Sequence, residues 1–73
     1  MISAELIAKI FSEAMALPCG TGDNFFDLGG DSLLAEAVMA ALSGLMGQEL
    51  ELAMLLDFQT PEELAAHLVR IEG

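Results

Sequence analysis

The sequence predicts an all-α fold, a small helical bundle, and three observations carry that expectation. The chain has 73 residues, of which 55% are hydrophobic but only 5% aromatic, with neither Trp nor Tyr, so its interior has to be filled by aliphatic and Met side chains. A chain this short removes only about 60% of its unfolded-state surface on folding, which leaves one core and one domain. That domain spans residues 1–73. Finally, apolar residues recur at helical spacing near the start, middle and end of the chain.

Ser3 or a neighbour caps the first helix, where Leu6, Ile7, Ile10, Phe11, Ala14 and Met15 keep the i, i+3, i+4 rhythm and Glu5, Lys9, Ser12 and Glu13 fall opposite. Leu17 precedes Pro18, and a residue before proline is pushed out of the α region, so this helix ends near Ala16. From Leu17 to Asp31 the residues are those of a long loop, rich in Gly, Pro, Asp, Asn and Thr, of a length that is usually functional or disordered. Phe25, Phe26 and Leu28 interrupt it. At least one Phe together with Leu28 is expected to insert into the bundle and fix the loop's path.

The second helix is expected from Ser32 to about Met46, closed by Gly47 in the left-handed conformation. Wound at 100° per residue, it puts Leu34, Ala37, Val38, Ala41 and Leu45 toward the core and Ser32, Ala35, Glu36, Met39, Ser43 and Met46 on the other side. Exposed Met and Ala beside Ser32 make a low-charge, adaptable surface, so Leu33, Ala35, Glu36 and Met39 are the candidate partner-docking residues. The plainer alternative is that Met39 and Met46 are scattered surface residues or meet another helix. Gly44 inside this helix costs about 1 kcal/mol relative to Ala and marks a weak or bent last turn.

Leu50 to Phe58 is apolar and short, and periodicity alone leaves strand and brief helix both open. Thr60-Pro61-Glu62-Glu63 is a clear helix start, since Thr caps, Pro suits the first turn and Glu63 completes a capping box. The last helix then packs Leu64, Ala65, Leu68 and Ile71, with His67 and Arg70 on a solvated face.

Twelve acidic residues against Lys9 and Arg70 give a net charge of −10, which opposes binding to nucleic acid or an anionic membrane and suits a basic docking partner. Cys19 is the only cysteine, so there is no internal disulfide and no thiolate metal cluster, and it reads as a spare loop thiol. The acidic loop fails the calcium-loop spacing: counted from Asp23, positions that require ligand oxygens are filled by Phe25 and Leu34. No metal is expected. The longest uncharged stretch, Ala37 to Gln48, is too short to span a bilayer and no signal segment is visible, so a cytoplasmic protein is expected. No G-x-S-x-G elbow and no base or oxyanion machinery surround Ser32, which argues against a hydrolase.

Asp27-Leu28-Gly29-Gly30-Asp31-Ser32-Leu33-Leu34 is the stretch that concentrates chemistry. Two glycines loosen the backbone, Asp31 and Ser32 are both favoured N-cap types, and the Ser32 hydroxyl falls beside unpaired helix N–H groups in a setting that suits a phosphodiester. On Asp23-Asn24-Phe25-Phe26-Asp27-Leu28-Gly29-Gly30-Asp31-Ser32-Leu33 the chain resembles the thiolation domains, the acyl and peptidyl carrier proteins. The resemblance implies that Ser32 receives 4'-phosphopantetheine, with Gly30, Asp31 and Leu33 as its flanking motif. It also implies that Gly47-x-x-Leu50-x-Leu52-x-x-Leu55-Leu56 is the family's linker and short third helix, making a four-helix bundle of three longer helices and one short one with a long loop between the first two. Many members carry Phe at Leu56 and Pro-Thr where Gln59-Thr60-Pro61 stands, so the approach to the last helix is where the match is loosest.

Within that family Leu28-Gly29-Gly30-Asp31-Ser32 is closer to the Leu-Gly-Gly-x-Ser motif of peptidyl carriers of nonribosomal peptide synthesis than to acyl carriers of fatty acid or polyketide pathways, which resemble one another in an acidic second helix. The acyl carrier is one alternative; a non-catalytic helical interaction module, with Ser32 as a mere N-cap, is the other. The resemblance implies a carrier rather than an enzyme, loaded by a phosphopantetheinyl transferase and then by an adenylation or other acyl-loading enzyme, and visited by condensation, tailoring or thioesterase enzymes. A monomer is expected, and Met1 at the start with an end just past the last helix fits a free-standing carrier and an excised domain equally.

Overall fold

The computed structural model describes residues 2–72. Four helices follow one another, α1 (Ala4–Met15), α2 (Ser32–Met46), α3 (Leu52–Asp57) and α4 (Pro61–Glu72), with no strand among the described residues. The short segment that periodicity left open is therefore helical, as the carrier resemblance implied.

Local chemistry sets each boundary. Ser3 Oγ accepts from the Leu6 N–H at 3.1 Å to start α1. At its other end Ala16 adopts the left-handed conformation, φ 55° and ψ 39°, and its N–H reaches the Ser12 carbonyl. An alanine there is strained relative to glycine, and the Leu17-Pro18 step that forbids further helix accounts for the stop. Gly47 closes α2 at φ 67°, a conformation a glycine adopts without penalty. The Ser43 hydroxyl then ties the following linker down, donating to the Met39 carbonyl at 2.7 Å and accepting from the Leu50 N–H at 2.9 Å.

At the start of α4 the Thr60 hydroxyl accepts from the Glu63 N–H at 3.1 Å and donates to Glu63 Oε1 at 3.0 Å, while Pro61 is fully buried behind it. Thr60→Ala removes both bonds. It is expected to cost about 1 kcal/mol, seen in thermal melts as a fall of roughly 4–8 °C for a domain of this size.

α1 packs on α4 and on α2, and α3 lies against α2. Ile7, Phe11, Val38, Leu42, Leu55, Leu64 and Leu68 are fully buried, joined by a loop residue, Phe25. No polar or charged side chain is buried among the described residues, so the core holds no uncompensated polar group.

Four details differ from expectation. In α2 the buried residues are Ala35, Val38, Met39 and Leu42, whereas Ala37, Ala41 and Leu45 are exposed. The helix is turned by about one residue from the expected facing, 100° of rotation. It carries a single charge, Glu36, so apolar side chains surround it and the sequence gives little contrast between faces. The larger Met39 and Leu42 side chains go inward, Ala37, Ala40 and Ala41 go outward, and Ser43 is placed to hold the linker. In α4 Ile71 is exposed, because the core ends at Leu68. His67 is half-buried and stacks on Phe58, ring centroids 4.2 Å apart at 14°, so it buttresses the turn between α3 and α4 instead of facing open solvent as Arg70 does. Leu28 is only half-buried and outside the core cluster; Phe25, flanked by Phe26, does the anchoring.

Candidate functional site

The loop reaches Ser32 through a sequence of fixed contacts. The Phe25 ring meets Phe11 edge-on at 5.0 Å between centroids and Phe26 at 5.1 Å, a geometry that adds to the area it buries. Its N–H donates to the Gln59 carbonyl at 2.8 Å and its carbonyl accepts from the Gly30 N–H at 3.0 Å.

The two glycines answer to different constraints. Gly29 sits at φ 103°, which L side chains rarely adopt. At Gly30 the limit is space, since a Cβ would overlap the Phe25 ring. The backbone thus turns sharply and then passes flat across an aromatic face just before α2 begins.

Asp31 is the N-cap of α2: its Oδ1 accepts from the Leu34 N–H at 2.9 Å. Ser32 therefore occupies the first helical turn and is exposed, and the capping job that its side chain is suited for is already done by its neighbour. The other hydroxyls are differently placed. Ser3, Thr21, Ser43 and Thr60 each engage theirs in a hydrogen bond, and Ser12 is half-buried within α1.

Ser32 and Leu33 are the first two residues of α2, where helix geometry leaves backbone N–H groups without an intrahelical acceptor and the dipole is positive. A phosphodiester on the Ser32 oxygen would lie next to these donors.

Among the flanking residues Gly30 lies at the entry, Asp31 caps, and Leu33 projects with 75% of its surface exposed. Of the candidate docking residues Leu33 and Glu36 are exposed, but Ala35 and Met39 are buried, so those two cannot meet a partner. Ala37, Ala40 and Ala41, with Leu45 further on, are exposed in their place. The sequence pattern assigns Ala40 and Leu42 to neither face; Ala40 is exposed and Leu42 is buried.

Cys19 is less poised as a nucleophile than an ordinary thiol. Its half-buried thiol donates to the Gly20 carbonyl, and burial first, then the nearby Asp23 carboxylate, hold it above the ordinary thiol pKa. None of the described helices is long and apolar enough to cross a membrane.

Residues 5–68 match the family described as "Phosphopantetheine attachment site". The chain is similar to the dimodular nonribosomal peptide synthase of Bacillus subtilis (strain 168), 45% identical over 65 residues that make up 88% of this chain and 3% of that protein. It thus spans only a small fraction of the relative it matches. Its backbone is similar to that of a free-standing peptidyl carrier protein from an Acinetobacter baumannii secondary metabolic pathway, 29% identical with TM-score 0.88, covering 96% of this chain and 91% of that one. It is also similar to BlmI, a type-II acyl-carrier protein from Streptomyces verticillus involved in bleomycin biosynthesis, 25% identical with TM-score 0.90 over 96% and 86% of the two chains. The chain belongs to the phosphopantetheine attachment family: it is a helical carrier domain whose prosthetic group is 4'-phosphopantetheine, held covalently on a serine.

Proposed function

We propose that Ser32 is the attachment point and that the domain carries aminoacyl or peptidyl intermediates through nonribosomal peptide synthesis in the cytoplasm, as a monomer. The supporting observation is the exposed hydroxyl at the start of α2, relieved of capping by Asp31 and lying within the family-matched residues. A phosphopantetheinyl transferase deprotonates Ser32 Oγ, which forms a bond to the β-phosphorus of coenzyme A. The P–O bond to the nucleotide breaks, and the adenosine bisphosphate leaves with Mg²⁺ supplied by that enzyme. Once attached, the arm supplies a thiol that holds the acyl group as a thioester. The domain itself presents the oxygen, keeps it out of the core and gives partners a surface; tethering then replaces bimolecular encounter with an effective concentration. Adenylation or other loading enzymes, then condensation, tailoring or thioesterase enzymes, are the visitors.

The docking face proposed is Leu33 with Glu36, Ala37 and Ala40, on the outward side of α2. Beside it an open groove of about 670 Å³ runs between α2 and the α3 segment, bordered by Glu36, Ala40 and Leu52. Incubation with coenzyme A, Mg²⁺ and a broad-range transferase tests the central claim: intact-mass measurement should show one added phosphopantetheine, and peptide mapping should place it on Ser32. A chain that stays unmodified would favour the interaction-module reading. Leu33→Glu should fold as the parent does, because the side chain is outside the core, yet lower the rate of acyl transfer to a partner enzyme by about fivefold or more, the size expected for a central apolar contact. Unchanged single-turnover transfer would move the docking surface elsewhere.

A further inference from the structure

We infer that Asn24 and Gln59 are a positioning pair for Ser32, an inference that rests on the reading of Ser32 as the attachment point. Neither residue touches the serine; they act through the loop that leads to it.

Gln59 follows α3 and precedes the α4 cap. Its Nε2 donates to the Leu56 carbonyl at 2.8 Å, its Oε1 accepts from Asn24 Nδ2 at 2.9 Å, and its backbone carbonyl accepts from the Phe25 N–H at 2.8 Å. Asn24 Oδ1 accepts in turn from the Phe26 and Asp27 N–H groups at 2.9 and 3.1 Å, and its backbone carbonyl accepts from Leu28 N–H at 3.1 Å. Phe25 passes the constraint on, through its carbonyl to the Gly30 N–H, two residues before Ser32.

Both amide side chains are half-buried, where an unmatched donor or acceptor is costly. The task also dictates the residue types. Asn24 has to offer acceptors to the loop and a donor to Gln59 at once, which an amide does and a carboxylate does not. Through this pair the turn after α3 grips the loop at its middle, 35 residues away in sequence, and Phe25 and Gly30 carry that grip to the mouth of α2. Without it Phe25 still inserts, but residues Phe26 to Gly30 are free to sample conformers in which Ser32 is turned away from an incoming enzyme.

If only a fraction of the carriers presents the serine correctly, apparent affinity falls by that fraction while the seated complex reacts as before. The test is steady-state transfer from coenzyme A by a broad-range phosphopantetheinyl transferase, well below the melting temperature, on the parent chain and on Gln59→Ala, Asn24→Asp, Gln59→Glu and Ser32→Ala. Gln59→Ala and Asn24→Asp each break the Asn24–Gln59 bond, and each should raise KM for the carrier roughly threefold to tenfold with kcat unchanged. Gln59→Glu keeps an acceptor for Asn24 Nδ2 but gives up the Nε2 donor to the Leu56 carbonyl, so its KM should lie between those of the parent and Gln59→Ala. Amide hydrogen exchange at Gly30 should quicken about tenfold in Gln59→Ala and Asn24→Asp and less in Gln59→Glu, about one hydrogen bond's worth of local opening.

A purely structural role would lower the melting temperature and leave KM alone, because every variant is folded at the assay temperature. Equal KM values across the series would overturn the positioning role while leaving the attachment point standing, provided the parent is loaded and Ser32→Ala is not. A parent that is never loaded, or a Ser32→Ala chain that is, overturns the attachment reading and this inference with it.

Discussion

Phe25→Ala is expected to cost about 3–5 kcal/mol, the range for removing a fully buried aromatic ring, out of a total stability of about 5–15 kcal/mol that a small domain reaches only at its lower end. The loss has three parts. The ring leaves a cavity between α1 and the loop where it met Phe11 edge-on. Gly30 loses the surface it lies against. Phe25 is also, among the described residues, the only loop residue with a fully buried side chain, so the path from α1 to α2 loses its one deep anchor. Urea denaturation should show a large drop in midpoint with little change in slope, since the unfolded surface hardly differs. Phe26→Ala provides the comparison. That ring is half-buried and meets Phe25 from the outer side, so its removal should cost markedly less. Equal midpoints for the two variants would mean that the loop is held by some other contact.

How far these features can be read from sequence depends on how much contrast each segment carries. α1 and α4 alternate charged and apolar residues at helical spacing, and their caps are written in Ser3, Leu17-Pro18 and Thr60-Pro61; their expected and observed limits agree to within a residue or two. α2 shows the opposite case. Asp31, Ser32 and Gly47 mark its ends well, but between them Glu36 is the only charge, so nothing in the pattern says which apolar side faces the core. The packing decides by volume: Met39 and Leu42 fill space that Ala37 and Ala41 cannot. The helix was legible and its facing was not, which is why two of the four docking candidates, Ala35 and Met39, lie inside.

The short α3 is a different kind of gap. A six-residue helix with no side-chain cap bond is below the length at which local preference decides anything, and only the long-range likeness to carrier domains spoke for it. Likewise Asn24 and Gln59 are two ordinary amides in sequence. Their pairing depends on a turn 35 residues away, a relation no local pattern records.

Ser32→Ala and Asp31→Ala, neighbours in sequence, should separate chemistry from stability in opposite directions. Ser32 is exposed in the first turn of α2. Its loss should change stability by no more than about 0.5 kcal/mol, as for other surface positions, because the cap bond belongs to Asp31. Yet this variant should accept no phosphopantetheine at all, since no other hydroxyl is both exposed and unspent: Ser3 and Thr60 cap helices, Ser43 holds the α2–α3 linker, and Thr21 donates to Glu62. Asp31→Ala keeps the nucleophile and removes the carboxylate that accepts from Leu34, at a cost of about 1 kcal/mol, and it should still be loaded. Melting curves and intact masses on the same two samples decide the matter. A Ser32→Ala chain that gains the arm elsewhere would refute the site, and an Asp31→Ala chain that melts like the parent would show that the cap, and with it the freedom of the serine oxygen, had been assigned to the wrong side chain.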